Sequence, residues 1–280
     1  MERTRSSKRA AAALPHPLRR WVDAYLDYLL SEQNRSLNTV AIYRKSLEAF
    51  LRFDPPPTPG DISLDTIRAY KLFLRRQLTP AGKPLKATSV NTYLIVLRGL
   101  LRYARVQEDL EVLPPEKIEL LRTGERTVKV LTDVQVEQLL AAPRASEKPH
   151  AVRDRAILEL LFSTGARVSE LTQLNRDGVN LKTKEMSILG KRRKVRVVFI
   201  TDAAAEALTE YLKTRTVPYT PLLIRTGGPR TNAIAEGGEG LRLTTRSVWN
   251  IVRQYALAAG LVTNPSPHTL RHTLATILLR

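Results

Sequence analysis

The chain has 280 residues, 43% of them hydrophobic, enough for two packed domains rather than one. Its formal charge of +18 exceeds the ~2–8 units that solubility asks of a small domain, so a polyanionic partner is expected. The absence of cysteine excludes disulfides, zinc–thiolate sites and cysteine nucleophiles, and no apolar run nears the ~18–20 residues of a membrane-spanning helix.

Residues 1–16 are expected to form a flexible basic tail. Ala10 to Ala13 follow the basic residues without the apolar stretch of a secretory leader, which points to a cytoplasmic protein. Residues 17–108 carry four helical patterns. Leu18, Trp21, Val22, Tyr25, Leu26 and Leu29 recur every three or four residues and mark one face of the first. Ser36 or Asn38 caps the second, which carries Val40, Tyr43, Leu47 and Phe50 and ends at the proline run Pro55 to Pro59. The third has Ile67, Tyr70 and Leu74 on its face. The fourth runs from Thr88 to about Val106. Basic residues lie between the apolar positions, and Arg44, Lys45, Lys86 and Arg98 are candidate phosphate contacts.

Residues 109–130, whose polar stretch begins at Pro114-Pro115, are expected to be a linker, and 131–280 a second domain. Thr132 caps a helix through Leu140. Asp154 to Phe162 is almost wholly apolar and is expected to be buried. Met186, Ile188 and Leu189 lead into the polar turn Gly190-Lys191-Arg192-Arg193-Lys194, and Val195 to Ile200 lead out, the pattern of a β-hairpin. Thr201 caps the next helix, Leu222 to Ile224 suit a short strand, Thr226 to Gly240 form a glycine-rich loop, Thr244 caps a helix through Ala259, and Pro267 starts a last one.

Three clusters carry chemistry. Thr164-Gly165-Ala166-Arg167-Val168-Ser169-Glu170 supplies an arginine after a helix stop. The hairpin tip supplies Lys191, with Arg192, Arg193 and Lys194 beside it. His268-Thr269-Leu270-Arg271-His272 supplies a histidine and an arginine on one helical face. A guanidinium is permanently charged and its planar fork matches two phosphate oxygens. Arg167 and Arg271 together can hold one phosphodiester and stabilise added charge on its oxygens. A lysine on a mobile hairpin can protonate a leaving oxygen. Taken singly, each cluster also fits a blander role: a helix C-cap, a solvated turn, a structural His-x-x-Arg.

In this order, behind a basic four-helix domain, they resemble the tyrosine recombinase (phage integrase) family, in particular its Xer-like and integron-integrase-like members. The likeness spans residues 17–280. It is most specific at Thr164–Leu171 and at Pro267–Thr276, and it includes Leu37–Tyr43 and Thr88–Tyr93 in the first domain. The resemblance implies a mainly α protein. An all-helical, SAM-like core-binding domain precedes a mainly helical catalytic domain with a small β-hairpin sheet. It implies that Arg167, Lys191, His268 and Arg271 are catalytic, with Lys194 the alternative hairpin lysine if the register slips, and that Glu170 supports them; Arg192, Arg193 and Lys194 are further candidate DNA contacts. Double-stranded DNA is the implied partner, breakage and rejoining at specific sites the activity, and a tetramer on DNA the assembly, with no metal or other cofactor.

One departure is expected to matter. The family's nucleophilic tyrosine follows the second box by about thirty residues, whereas all nine tyrosines here precede His268. The expectation is a catalytic domain truncated at its C-terminus, with no nucleophile, unable to cleave alone and impaired in tetramer assembly. A DNA-binding remnant or regulator is the alternative. A basic RNA-associated helical protein would explain the charge but not the ordered cluster set.

Overall fold

The computed structural model describes residues 16–124, 129–190, 194–216, 218–227 and 237–280. The tail expected over 1–16 therefore lies almost wholly outside the described residues, as do the hairpin-tip residues Lys191, Arg192 and Arg193. The chain divides into two compact units, Met1–Glu125 and Arg126–Arg280. Among the described residues no helix is long and apolar enough to cross a membrane.

The first unit contains α1 (Arg19–Ser31), α2 (Leu37–Arg52), α3 (Leu64–Arg76) and α4 (Ala87–Val106). Ser36, rather than Asn38, caps α2 by accepting from the Thr39 backbone N–H. Ser63 and Thr66 form a reciprocal cap on α3. The apolar faces of all four helices meet in one core around Leu26, Leu47, Leu94 and Leu97. Phe50 sets its ring edge against Tyr70, with centroids 4.7 Å apart.

Much of the segment expected as a linker is packed chain. Val112, Leu113, Leu120 and Leu121 lie against this core, and Ile118 is fully buried in it. Asn91 of α4 donates to the Leu121 carbonyl at 2.9 Å and accepts from the Leu121 N–H at 2.8 Å. Arg98 donates through Nε to the Ile118 carbonyl at 2.8 Å, and through Nη2 to the same oxygen.

The second unit is built around α6 (Ala151–Thr164), which packs against α5 (Asp133–Ala141), α7 (Val168–Thr172), α8 (Asp202–Lys213), α9 (Thr245–Ala258) and α10 (Pro267–Leu278). Surrounded this way, α6 buries charged as well as apolar side chains: Arg153, Asp154, Arg155 and Glu159 are all inside. Each arginine finds carboxylate. Arg153 donates twice to Asp154, at 2.9 and 2.6 Å, and Arg155 reaches Glu210 at 2.6 Å and Glu206 at 3.1 Å on α8. The hairpin of β2 (Glu185–Leu189) and β3 (Val195–Phe199) gains a third antiparallel strand, β1 (Val179–Asn180), so the sheet order is β1-β2-β3. Leu222 to Ile224 are buried or nearly so, but form no strand; Pro221 and Ile224 make single bridges to Asn175 and Arg242.

Candidate phosphate-binding site

The site is built on the end of α6. Gly165 takes a left-handed conformation, φ 55°, which stops the helix and turns the chain sharply into α7. A side chain at 165 would also meet Leu274 of α10 at 3.0 Å, so the glycine lets α10 approach. Arg167 stands at the N-cap of α7 and Glu170 three residues on. Glu170 accepts from the Arg167 backbone N–H and from Arg167 Nη1, both at 2.9 Å.

The Glu170 carboxylate is buried and shared. Arg196 of β3 donates Nη1 to Oε1 at 3.1 Å and Nη2 to Oε2 at 2.6 Å, a bidentate fork. Burial alone would raise the Glu170 pKa. The Arg196 fork and the two Arg167 bonds overturn that and hold it at about 2. Glu170 is thus an anion at any ordinary pH, and it raises the pKa of Arg196 in return.

Arg271 reaches the same place from α10. Ser266 and Thr269 cap that helix reciprocally, Pro267 opens it, and the buried Thr273 hydroxyl accepts from the Leu131 N–H at 2.9 Å. Arg271 Nη1 donates to the Gly165 carbonyl, two residues before Arg167. Its pKa is lowered, first by burial and then by repulsion from Arg167 and Arg196, partly offset by Glu170. The Arg167 side chain is 54% exposed and the Glu170 side chain 6%. Three guanidiniums and one carboxylate leave two net positive charges at one spot, with Arg167 reaching toward solvent. Such a spot favours a dianionic or transiently overcharged phosphate.

The other candidate residues are more dispersed. His268 is exposed one turn before Arg271, its ring edge-on to His272 with centroids 4.3 Å apart. Lys194 is exposed, and its carbonyl accepts from the Gly190 N–H at 2.8 Å, closing the hairpin. In the first unit Lys45 and Lys86 are exposed, and Arg44 reaches Asp23 at 3.5 Å while remaining half exposed. Arg98 differs: its guanidinium is spent on the Ile118 carbonyl, which makes it a tether for the returning chain. Arg196 is the member that the sequence did not reveal. Among the described residues no cluster of His, Cys, Asp and Glu is arranged to hold a metal.

Comparison with known proteins agrees in extent and order. A family description, "Phage integrase family", matches residues 129–280, and "Phage integrase, N-terminal SAM-like domain" matches 22–108. Tyrosine recombinase XerC of Roseiflexus castenholzii is 36% identical, over 92% of this chain and 80% of that protein. Tyrosine recombinase XerD of Mycobacterium tuberculosis is 33% identical, over 92% of this chain and 84% of that protein. The fold is shared with a XerH site-specific recombinase bound to a palindromic difH substrate (TM-score 0.71, 19% identity, 95% of this chain and 86% of that one). It is shared also with a lambda integrase tetramer bound to a Holliday junction (TM-score 0.69, 18% identity, 98% and 79%). The chain, mainly helical with a small antiparallel sheet, belongs to the phage integrase family of tyrosine recombinases and is Xer-like.

Proposed function

We propose that the chain binds duplex DNA and grips one backbone phosphodiester between Arg167 and Arg271, the step on which site-specific DNA breakage and rejoining depends. The observation that carries this is the meeting of Arg167, Arg196 and Arg271 around buried Glu170. In this reading Arg167 and Arg271 contact phosphate oxygens. Glu170 positions Arg167, and Arg196 keeps Glu170 ionised and in place. His268 faces the same phosphate from the first turn of α10. Lys191 protonates the leaving 5′ oxygen, with Lys194 as the neighbouring cation. Arg192, Arg193 and Lys194 at the hairpin, and Arg44, Lys45 and Lys86 in the first unit, supply further phosphate contacts.

The two units divide the work as domains: 17–108 binds DNA, 131–280 holds the scissile phosphate, and part of 109–130 joins them. Assembly of several copies on DNA and action in the cytoplasm complete the proposal. The DNA-bound dimers and tetramers among its structural neighbours support it by analogy of fold.

Within these residues the tyrosines of the second unit serve elsewhere. The Tyr255 hydroxyl donates to buried Asp154 at 3.3 Å, the Tyr211 hydroxyl accepts from the Ile224 N–H at 3.2 Å, and Tyr219 packs where a side chain on Gly238 would stand. In this reading residues 1–280 polarise a phosphodiester without using a tyrosine of the second unit as the in-line nucleophile.

Binding and cleavage separate in one pair of assays. Gel shifts with duplex DNA and with structured RNA should favour the duplex. Arg167→Ala should weaken duplex binding about tenfold and reduce the salt slope by roughly one to two ions. A nicked suicide duplex should give no denaturant-stable adduct with residues 1–280. An adduct would overturn the placement of the nucleophile. Equal affinity for RNA, or a binding constant indifferent to salt, would overturn the DNA proposal.

A further inference from the structure

The first unit holds a cleft apart from the phosphate grip of the second unit. A cleft of about 440 Å³ opens between the C-terminal halves of α1 and α4, completed by Tyr43 of α2 and by Arg35 from the turn between α1 and α2. Four of the chain's nine tyrosines line it. Tyr28 and Tyr103 have centroids 5.1 Å apart, Tyr103 and Tyr25 5.4 Å, and Tyr25 and Tyr43 6.3 Å, so the rings form one continuous wall.

Gly99 underlies this wall. A Cβ there would lie 2.2 Å from the Tyr25 hydroxyl. Glycine inside a 20-residue helix is unfavourable in itself, and here it makes room for the buried Tyr25.

Three guanidiniums border the rings. Arg98 is bound to the Ile118 carbonyl, and Arg102 meets Glu116 at a loose 3.5 Å with both side chains exposed. Among the described residues no ion pair holds Arg35. None of the residues lining the cleft is acidic.

This combination selects a ligand by chemistry. Three guanidiniums repel a cation. A purely apolar ligand would bury Arg35 without a partner, and bare phosphate would leave the rings unused. A planar base with a phosphate uses both, because stacking on aromatic rings tolerates any base and arginine is suited to phosphate. The volume falls within the roughly 300–1,000 Å³ of small-molecule sites. We propose that the cleft binds a single unpaired nucleotide, the base set against the partly exposed rings of Tyr28 and Tyr43 and the phosphate held by Arg35 and Arg102. The nucleotide is either free or part of an unpaired DNA strand. This goes beyond the duplex grip and stands or falls apart from it.

Calorimetric titration of the full chain with adenosine 5′-monophosphate, in an Arg167→Ala background that disables the phosphate grip of the second unit, should give one saturable site. Arg35→Glu should weaken it at least tenfold. Ile95→Trp, at a rim residue 47% exposed, should fill the cleft and abolish binding without altering charge. Circular dichroism checks that both variants stay folded. Displacement of the monophosphate by octathymidylate assigns the site to a DNA strand, and failure to displace it assigns the site to a free nucleotide. The proposal is overturned if folded protein takes up no monophosphate at millimolar concentration, or if both variants bind it like the parent.

Discussion

The two units solve the problem of burying a core in different ways. In the first, the buried residues are aliphatic and aromatic, and Ser46 is the one buried polar side chain among the described residues. In the second, Arg153, Asp154, Arg155, Glu159, Glu170, Thr172 and Thr273 are all buried. Charge in the first unit lies on its surface, where it can meet a long polyanion without being oriented. Charge in the second is fixed from within. The carboxylate that aims Arg167 is itself inside the protein, and the helix leading to it is packed on every side. A surface contact tolerates loose placement, whereas phosphate held for chemistry needs its donors aimed beforehand. Buried charge is a costly way to obtain that aim, because each ion has to be paired.

Four changes test this contrast, beginning with the largest effect. Asp154→Ala removes the carboxylate of the buried Arg153 guanidinium, leaving it only the Ile224 carbonyl and the Thr226 hydroxyl at 3.4 Å, and should cost about 3–5 kcal/mol. A Trp21→Phe background leaves Trp249 as the remaining tryptophan, so urea unfolding read by its fluorescence follows the second unit. A loss below about 1 kcal/mol would remove the distinction between the cores.

Glu170→Gln should come next, at about 3 kcal/mol. Its carboxyl ionises at about 2 in the folded chain against 4.5 for the free group, and every tenfold change in proton affinity is worth about 1.36 kcal/mol. A depressed native pKa means that the unfolded state binds the proton first. The stabilisation is therefore complete above about pH 4.5, shrinks as the pH falls, and is gone below about 2. Stability profiles of parent and Glu170→Gln should converge across that window. Asp154 and Glu159, both raised by burial, act in the opposite sense and should persist unchanged in the variant. Parallel profiles would show that Glu170 is not held as an anion.

Arg98→Ala removes the tether on the Ile118 carbonyl and should cost about 1–3 kcal/mol, with faster hydrogen exchange over residues 115–121. A pure defect in DNA binding with unchanged stability would return Arg98 to the phosphate contacts. Ser46→Ala should be nearly silent, below about 0.5 kcal/mol. Its hydroxyl donates back to the Ile42 carbonyl within α2, a bond that does not strengthen the helix.

Much of the fold was legible beforehand, and the reason is locality. Helical spacing, Ser36 and Thr244 as caps, the proline break before α3, and the glycine stop at 165 depend on residues within a turn of one another. His268 and Arg271 share a face by spacing alone. Arg196 was not legible. Alternation in Val195 to Phe199, with Val195, Val197 and Phe199 taken as the apolar face, would send Arg196 to solvent, yet those three stand exposed and Arg196, on the face of Val198, turns toward Glu170. The packing of 109–121 onto α4 was equally hidden, because a polar, proline-bearing stretch looks like free chain until Asn91 and Arg98 are found holding it.

The sequence by itself determined the helices, the hairpin and the family to which they belong, since periodicity, capping and turn chemistry act between near neighbours. Only the tertiary structure decided which charges meet. Glu170 and Arg196 are 26 residues apart, and Arg271 is 106 from the carbonyl it grips. Bonds of that span form only when burial of apolar surface has already closed the intervening chain.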